Sequence, residues 1–342
     1  MINSSFVKKN KTFIIAELSG NHNNDLDLAI KSIKSIAKTG ADAVKVQTYK
    51  PESLSLNLNT GYFAPIKDGL WKGYTPWHLY QKASMPYEWQ PKLKKIAEDM
   101  GLVFFSSPFD SEGVDFLNSL NVPFFKIASL EIVDIPLIKY CASKMKPMII
   151  STGVANFEDI ELAIKTCRDV GNNEITLLKC TSDYPANISD ANLLTILDLK
   201  KKFKVNVGVS DHTLGSIVPI VATSLGATVI EKHFILDRKL GGPDAAFSME
   251  PLEFKKMIED VNQTQSSLGQ VQYNVSKKDK FRRRSLFVVK DIKKGEKTTI
   301  ENVRSIRPGY GLHPKHYYDV LGKTIKVNIT KGTPFSWDMI KK

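Results

Sequence analysis

Eight short apolar runs, each followed by a stretch of helical period, constrain this chain more than any other feature. The runs cover residues 12–16, 43–47, 103–106, 124–127, 148–151, 175–179, 205–209 and 228–231. Helix-period segments follow them at 25–38, 88–100, 111–119, 135–144, 157–170, 193–202, 214–225 and 253–268. The runs are apolar almost throughout, as strands covered on both faces are. Gly40, Gly101, Gly171 and Gly226 stand just past helix ends, where a left-handed residue is wanted. Eight β–α units in series predict an α/β fold, a (β/α)8 TIM barrel over residues 1–270. A doubly wound open sheet is the alternative, but no glycine-rich phosphate fingerprint follows the first run.

The rhythm stops near Leu268. Residues 271–284 read as a linker, and residues 285–342 as a small, mainly β second domain with two similar phrases, DIKKGE and NITKGT. So short a segment is marginal alone and is expected to dock on something. Residues 277–342 hold 18 Lys and Arg against 6 Asp and Glu, the whole of the net charge of +12. A basic tail of this kind suits nucleic acid, an anionic substrate or a solvated surface. The start carries no apolar signal core and no run is long enough to span a bilayer, so no membrane partner is expected. Cys141, Cys167 and Cys180 lack metal-type spacing and read as reduced thiols of a cytoplasmic protein.

Residues 50–87 interrupt the alternation and are rich in aromatic side chains, among them Trp71, Tyr74, Trp77 and Tyr80. A connection of that length after the second strand belongs over the catalytic face as a lid or binding loop, or else forms a peripheral subdomain or dimer contact.

The carboxyl ends of barrel strands carry the chemistry. Here they hold Glu17, Lys45, Gln47, Ser106, Ser107, Lys126, Ser129, Glu131, Ser151, Lys179, Thr181, Ser182, Ser210, His212, Lys232 and His233. Lysines and serines with backbone N–H groups make a cradle for phosphate or carboxylate. Glu17 and Glu131 can move protons. His212 and His233, at neighbouring tips, can together hold a divalent transition metal. Two chemistries fit these residues. A lysine can form a Schiff base with a carbonyl substrate, or a histidine-bound metal can polarise an aldehyde oxygen.

The segments FIIAELSGNHNNDLDLA, TGADAVKVQTY, FSSPFD, FKIASLE, IISTG, LLKCTSDYPA, VGVSDHT and VIEKHF resemble the nonulosonic (sialic-type) acid synthases. SLFVVKDIKKGE, NVRSIRPGYGLHP and LGK look like the antifreeze-like (SAF) cap domain of that family. Within it, AELSGNH, QTYKPESLSL and RPGYGLHPKHYY are most similar to the pseudaminic acid branch. The resemblance implies condensation of phosphoenolpyruvate with a free acylamino-sugar, for this branch 2,4-diacetamido-2,4,6-trideoxy-L-altrose, with release of phosphate. The N-acetylneuraminate and legionaminate synthases, which run the same chemistry on other sugars, are the alternative. A Schiff-base aldolase is a remoter one.

The resemblance also implies roles. His212 and His233 match ligands of a divalent metal, most often Mn2+ and otherwise Mg2+ or Co2+. Lys45, Lys126, Ser129, Ser151, Ser182 and Ser210 match the phosphoenolpyruvate cradle, although sialic acid synthases usually carry Asn where Ser182 stands. Gln47, Tyr184, Asp244 and Arg307 match sugar-binding positions, and Glu17, Glu131 and Lys45 match catalytic ones. Arg307 matches a cap arginine that reaches the active site of the other subunit in a domain-swapped homodimer. A nucleic-acid role for the basic tail leaves the strand-tip residues without a purpose, so no nucleic-acid partner is expected.

Overall fold

A computed structural model describes residues 11–341. Its first unit, up to Gly269, is a closed barrel of eight strands. They are β1 Phe13–Glu17, β2 Ala43–Thr48, β3 Val103–Pro108, β4 Phe125–Ile127, β5 Met148–Ser151, β6 Ile175–Cys180, β7 Asn206–Asp211 and β8 Val229–His233. Neighbours pair in parallel in chain order, and β8 pairs with β1 from Phe13↔Val229 to Glu17↔His233. Eight principal helices alternate with them: α1 Leu26–Thr39, α2 Gln90–Asp99, α3 Ser111–Ser119, α4 Ile135–Ser143, α5 Phe157–Asp169, α6 Thr195–Phe203, α7 Ile217–Ser224 and α8 Pro251–Leu268.

Local sequence explains the joins. The Asp25 carboxylate accepts from the N–H groups of Asp27 and Leu28 and starts α1, which buries Ala29, Ile33 and Ile36 on one face. Asn156 and Asp159 form a reciprocal capping box at the head of α5. Gly40, Gly101, Gly171 and Gly226 all take positive φ, between 80° and 90°. Gly208 is required for another reason. A Cβ there would lie 2.3 Å from the Val229 carbonyl, so only glycine lets β7 and β8 approach as they do.

Element ends differ from the sequence reading in two instructive places. β7 and β8 run two residues beyond their apolar cores, so Asp211 and His233 belong to the strands. The following helix begins at Ile217, because Gly215 at φ +77° holds a turn first. Residues 50–87 are also more ordered than a plain loop. They carry the helix Pro76–Ala83, capped by the Thr75 hydroxyl on the His78 N–H.

The second unit runs from Gln270. β9 Ser285–Val288 pairs antiparallel with β10 Val303–Ile306. The two similar phrases meet each other: Ile292 and Ile329 exchange both backbone hydrogen bonds, and each phrase turns at a glycine of positive φ, Gly295 and Gly332. Leu286, Val288, Ile292, Val303, Val320, Ile325, Ile329 and Phe335 make its small core. Among the described residues no helix is long and apolar enough to cross a membrane.

Candidate active site

Side-chain alternation along the barrel strands decides which tip residues face inward. On β8 Glu231 and His233 point in and Lys232 points out, where its ammonium meets Asp211 Oδ2 and the Thr213 carbonyl at 2.5 Å each. That buried ion pair is part of the scaffold. Lys179 likewise leaves the interior, its Nζ donating to its neighbour's carbonyl on Cys180. Ser106 turns outward and bonds Thr48 Oγ1 and the Val46 carbonyl. These three tip residues therefore stand outside the site.

Lys45, on β2, and Lys126, on β4, form its floor, both fully buried. Lys45 Nζ lies 2.5 Å from Glu17 Oε2, 3.6 Å from Glu231 Oε1 and 3.4 Å from Ser107 Oγ. Lys126 Nζ donates to Ser151 Oγ at 2.7 Å and to the Ile127 carbonyl at 2.9 Å, with Glu231 Oε1 at 3.8 Å. Ser210 Oγ donates to the same Glu231 oxygen at 3.2 Å. Burial works against the charge on Lys45 but is outweighed by Glu17 and Glu231, which hold it above its ordinary range. Lys126, farther from a carboxylate, is pushed down by burial. Glu231 is the residue that sequence reasoning missed. The signal was its place on the inward register between Val229 and His233, where a charge in an apolar run needs partners.

A second group sits beside the floor. Ser182 Oγ donates to Ser129 Oγ at 2.9 Å, and Ser129 Oγ accepts from the Gly153 N–H at 2.7 Å. A Cβ on Gly153 would come within 2.2 Å of Ser182 Oγ and 2.5 Å of Ser129 Oγ, so glycine keeps this polar nest open.

The two histidines lie with ring centroids 5.3 Å apart. His212 Nδ1 is 2.8 Å from the Thr181 carbonyl. A carbonyl can only accept, so Nδ1 carries the ring proton and Nε2 is left to bind a ligand. At His212 burial disfavours the charged ring, but Cys180 and the Thr181 carbonyl outweigh it and raise the pKa. Burial, with the charges of His212, Lys45, Lys232 and Lys126 behind it, holds His233 well below the usual range and keeps it neutral. His233 Nδ1 has no hydrogen-bond partner among the described residues. Two imidazoles with available nitrogens suit a transition metal. Among the described residues no three His, Cys, Asp or Glu side chains gather around one point. An ion here would therefore complete its shell from water and substrate, which is the open kind of site.

Above the histidines, a cavity of about 310 Å3 is lined by Ser19, Gln47, Ser129, Glu131, Tyr184, His233 and Asp244 from the barrel and by residues of the 50–87 connection. Its volume falls in the range of small-molecule sites, roughly 300–1,000 Å3. Gln47 Nε2 donates to Ser19 Oγ at 2.9 Å and to Glu17 Oε1 at 3.3 Å. Asp244 Oδ2 accepts from the Gly20 N–H at 3.1 Å. The Tyr184 ring packs on His212, Phe247 and Trp71. Burial pushes Glu17 up to about 7 against the pull of Lys45, and pushes Glu131 up to about 7 as well. Two carboxyls poised near neutrality over a cationic floor can exchange protons with a bound ligand. Arg307 lies in the second unit, directly after β10.

The chain matches the NeuB family over residues 32–273 and the SAF domain over residues 283–341. It is 47% identical over 333 residues to the pseudaminic acid synthase of Helicobacter pylori, covering 96% of this chain and 98% of that one. It is 36% identical over 337 residues to the N,N'-diacetyllegionaminic acid synthase of Legionella pneumophila, covering 96% and 94%. Among solved structures, it resembles the N-acetylneuraminic acid synthetase of Leptospira borgpetersenii, crystallised with citrate. The TM-score is 0.71 at 32% identity, over 80% of this chain and 90% of that one.

Proposed function

Because the chain belongs to the NeuB family, with a SAF domain following in sequence, we propose that it condenses phosphoenolpyruvate with 2,4-diacetamido-2,4,6-trideoxy-L-altrose to give pseudaminic acid and phosphate. The observation that carries this reading is the stack of two buried ammoniums, Lys45 and Lys126, beneath the paired imidazoles of His212 and His233. The choice of sugar leans on the higher identity to a pseudaminic acid synthase, 47% against 36% for a legionaminic acid synthase.

The residues divide the work by their chemistry. Lys45 and Lys126 take the charges of phosphoenolpyruvate, with Ser151, Ser210 and the Ser129–Ser182 nest orienting its oxygens. Gln47, Tyr184 and Asp244 position the sugar so that its aldehyde carbon faces C3 of the enol. His212 and His233 would hold a divalent ion, Mn2+ by preference, which when bound would supply Lewis acidity at the aldehyde oxygen. The C3–C1 bond forms as the C2–C3 π bond opens, and the former aldehyde oxygen takes up a proton. Water adds at C2. The C2–O bond to phosphate then breaks as the new C2 hydroxyl gives its proton to the departing phosphate and becomes the ketone. Glu17 or Glu131, both pushed up to about 7 by burial, takes the proton that water gives up, which balances the one taken up by the aldehyde oxygen.

Phosphate release measured against a panel of amino-sugars tests the reading. The fastest turnover is expected with the diacetamido-trideoxy altrose, and a chelator is expected to stop it. Faster release with N-acetylmannosamine or the legionaminate precursor would transfer the reading to those synthases. Chelator-resistant turnover with an adduct trapped by borohydride would place a Schiff base on a lysine instead.

Two further outcomes are expected. Gly153→Ala displaces Ser129 and Ser182 and should raise KM for phosphoenolpyruvate about 10–100-fold, the worth of one or two charge-assisted hydrogen bonds. Arg307 we assign to the sugar in the active site of a second copy of the chain. Mixing an Arg307→Ala subunit with a barrel-inactive subunit should then restore part of the activity, and absence of complementation would count against the shared site.

A further inference from the structure

Chemically, the cavity above the histidines has two unlike sides. Its barrel side is polar, but its other side comes from the connection of residues 50–87. Leu54, Ile66, Pro76 and Leu79 contribute no hydrogen-bonding side chain to that wall. Trp71 faces it too, yet its indole N–H is already donated to the Pro243 carbonyl at 2.8 Å. Phe109, from the loop after β3, continues the apolar surface and packs its ring 5.0 Å from that of Tyr49. Tyr80 and Tyr49, whose rings meet at 6.2 Å, both border the cavity and bring phenol hydroxyls to this end of the wall.

We infer that this wall sets sugar specificity by chemical exclusion: it seats the methyl-bearing tail of the substrate and rejects a hydroxyl there. The inference rests on the condensation proposed above, which puts the aldehyde end at His212 and His233 and so sends the chain of the sugar toward residues 50–87. A C6 methyl and the methyl of a 4-acetamido group fit the Leu54, Ile66, Pro76, Leu79 and Phe109 part of the wall, which offers dispersion and no partners. The Tyr80 hydroxyl suits one acceptor, such as the acetamido carbonyl. A C6 hydroxyl in the same place would be buried without a partner, which costs binding. Ile66, Leu79 and Phe109 act as specificity residues, with no role in the bond-forming steps.

The test compares two sugars that differ at one position, the 6-deoxy substrate and its 6-hydroxy counterpart of the same stereochemistry. Phosphate release gives kcat/KM for each in the wild-type protein and in Ile66→Asn, Leu79→Gln and Phe109→Tyr, with thermal melting to check the fold. The wild type should prefer the 6-deoxy sugar about 10–100-fold, the range a hydrophobic pocket achieves against an added hydroxyl. At least one polar variant should bring that preference down about tenfold, chiefly through a better 6-hydroxy rate. A wild-type preference near unity overturns the inference even if every variant fails to fold. Folded variants that slow both sugars equally overturn it as well. Absence of phosphate release with any sugar in the wild type overturns the condensation itself, which the other outcomes leave standing.

Discussion

Replacing His212 or His233 with alanine is expected to lower phosphate release about a thousandfold or more while the barrel still folds. The size follows from the Lewis acidity assigned to this pair, since several kcal/mol of charge stabilisation at the aldehyde oxygen corresponds to about three powers of ten in rate. The survival of the fold follows from where the rings sit. Both lie at the open end of their strands, and their neighbours there are the rings of Tyr184 and Phe247 and each other. His212→Ala loses the hydrogen bond to the Thr181 carbonyl and a long contact with Cys180 Sγ, so a modest fall in Tm is the expected cost, on the order of 1 kcal/mol for the stronger bond. Titration with Mn2+ separates a metal role from a packing role, because each variant should bind the ion more weakly than the wild type. Since proton and ion compete for His212, whose pKa is raised, uptake should also weaken as pH falls. Full activity in either variant would refute the metal assignment.

The legible and the hidden parts of this molecule separate on physical grounds. Strands buried on both faces must be apolar, so all eight stand out as runs in the sequence. Their polar ends do not, because Asp211 and His233 continue the ladder while ending the apolar pattern. The inward or outward sense of each tip was readable from the period of two, yet a list of tips without that period includes Lys179, Lys232 and Ser106, which face away. The same period would have singled out Glu231. The helix Pro76–Ala83 was announced by Thr75 before Pro76, a cap followed by a proline at the first turn. What no local pattern reveals is convergence. Ser129, Gly153 and Ser182 meet from three different loops, and their nest exists only once the barrel has closed.

The floor of the site makes the second large effect, at Lys45. Lys45→Met keeps an unbranched side chain, one atom shorter, and removes the charge, leaving Glu17 and Glu231 facing each other over a buried methyl group. Breaking a buried ion pair from one side destabilises by about 3–5 kcal/mol, and turnover should fall at least about a hundredfold with the loss of a charge that binds phosphoenolpyruvate. The sign of the pH dependence is fixed by Glu17. Its pKa in the folded state is about 7 against 4.5 in its absence of structure, burial being the larger influence and Lys45 opposing it. A carboxyl whose pKa is raised on folding favours the folded state when protonated, and loses that advantage as pH rises from 4.5 toward the folded value. Without Lys45 the folded pKa moves higher still, so the penalty keeps growing above pH 7. Melting of the two proteins with a chelator present should therefore show a gap that is small near pH 5 and widens toward pH 8.5. Adding Glu17→Gln to Lys45→Met should recover part of the stability at pH 8.5, because the buried charge is gone, and none of the turnover. A gap that stays constant across that range would mean that Glu17 does not titrate with the pair, and would remove it as the group that accepts the proton from water.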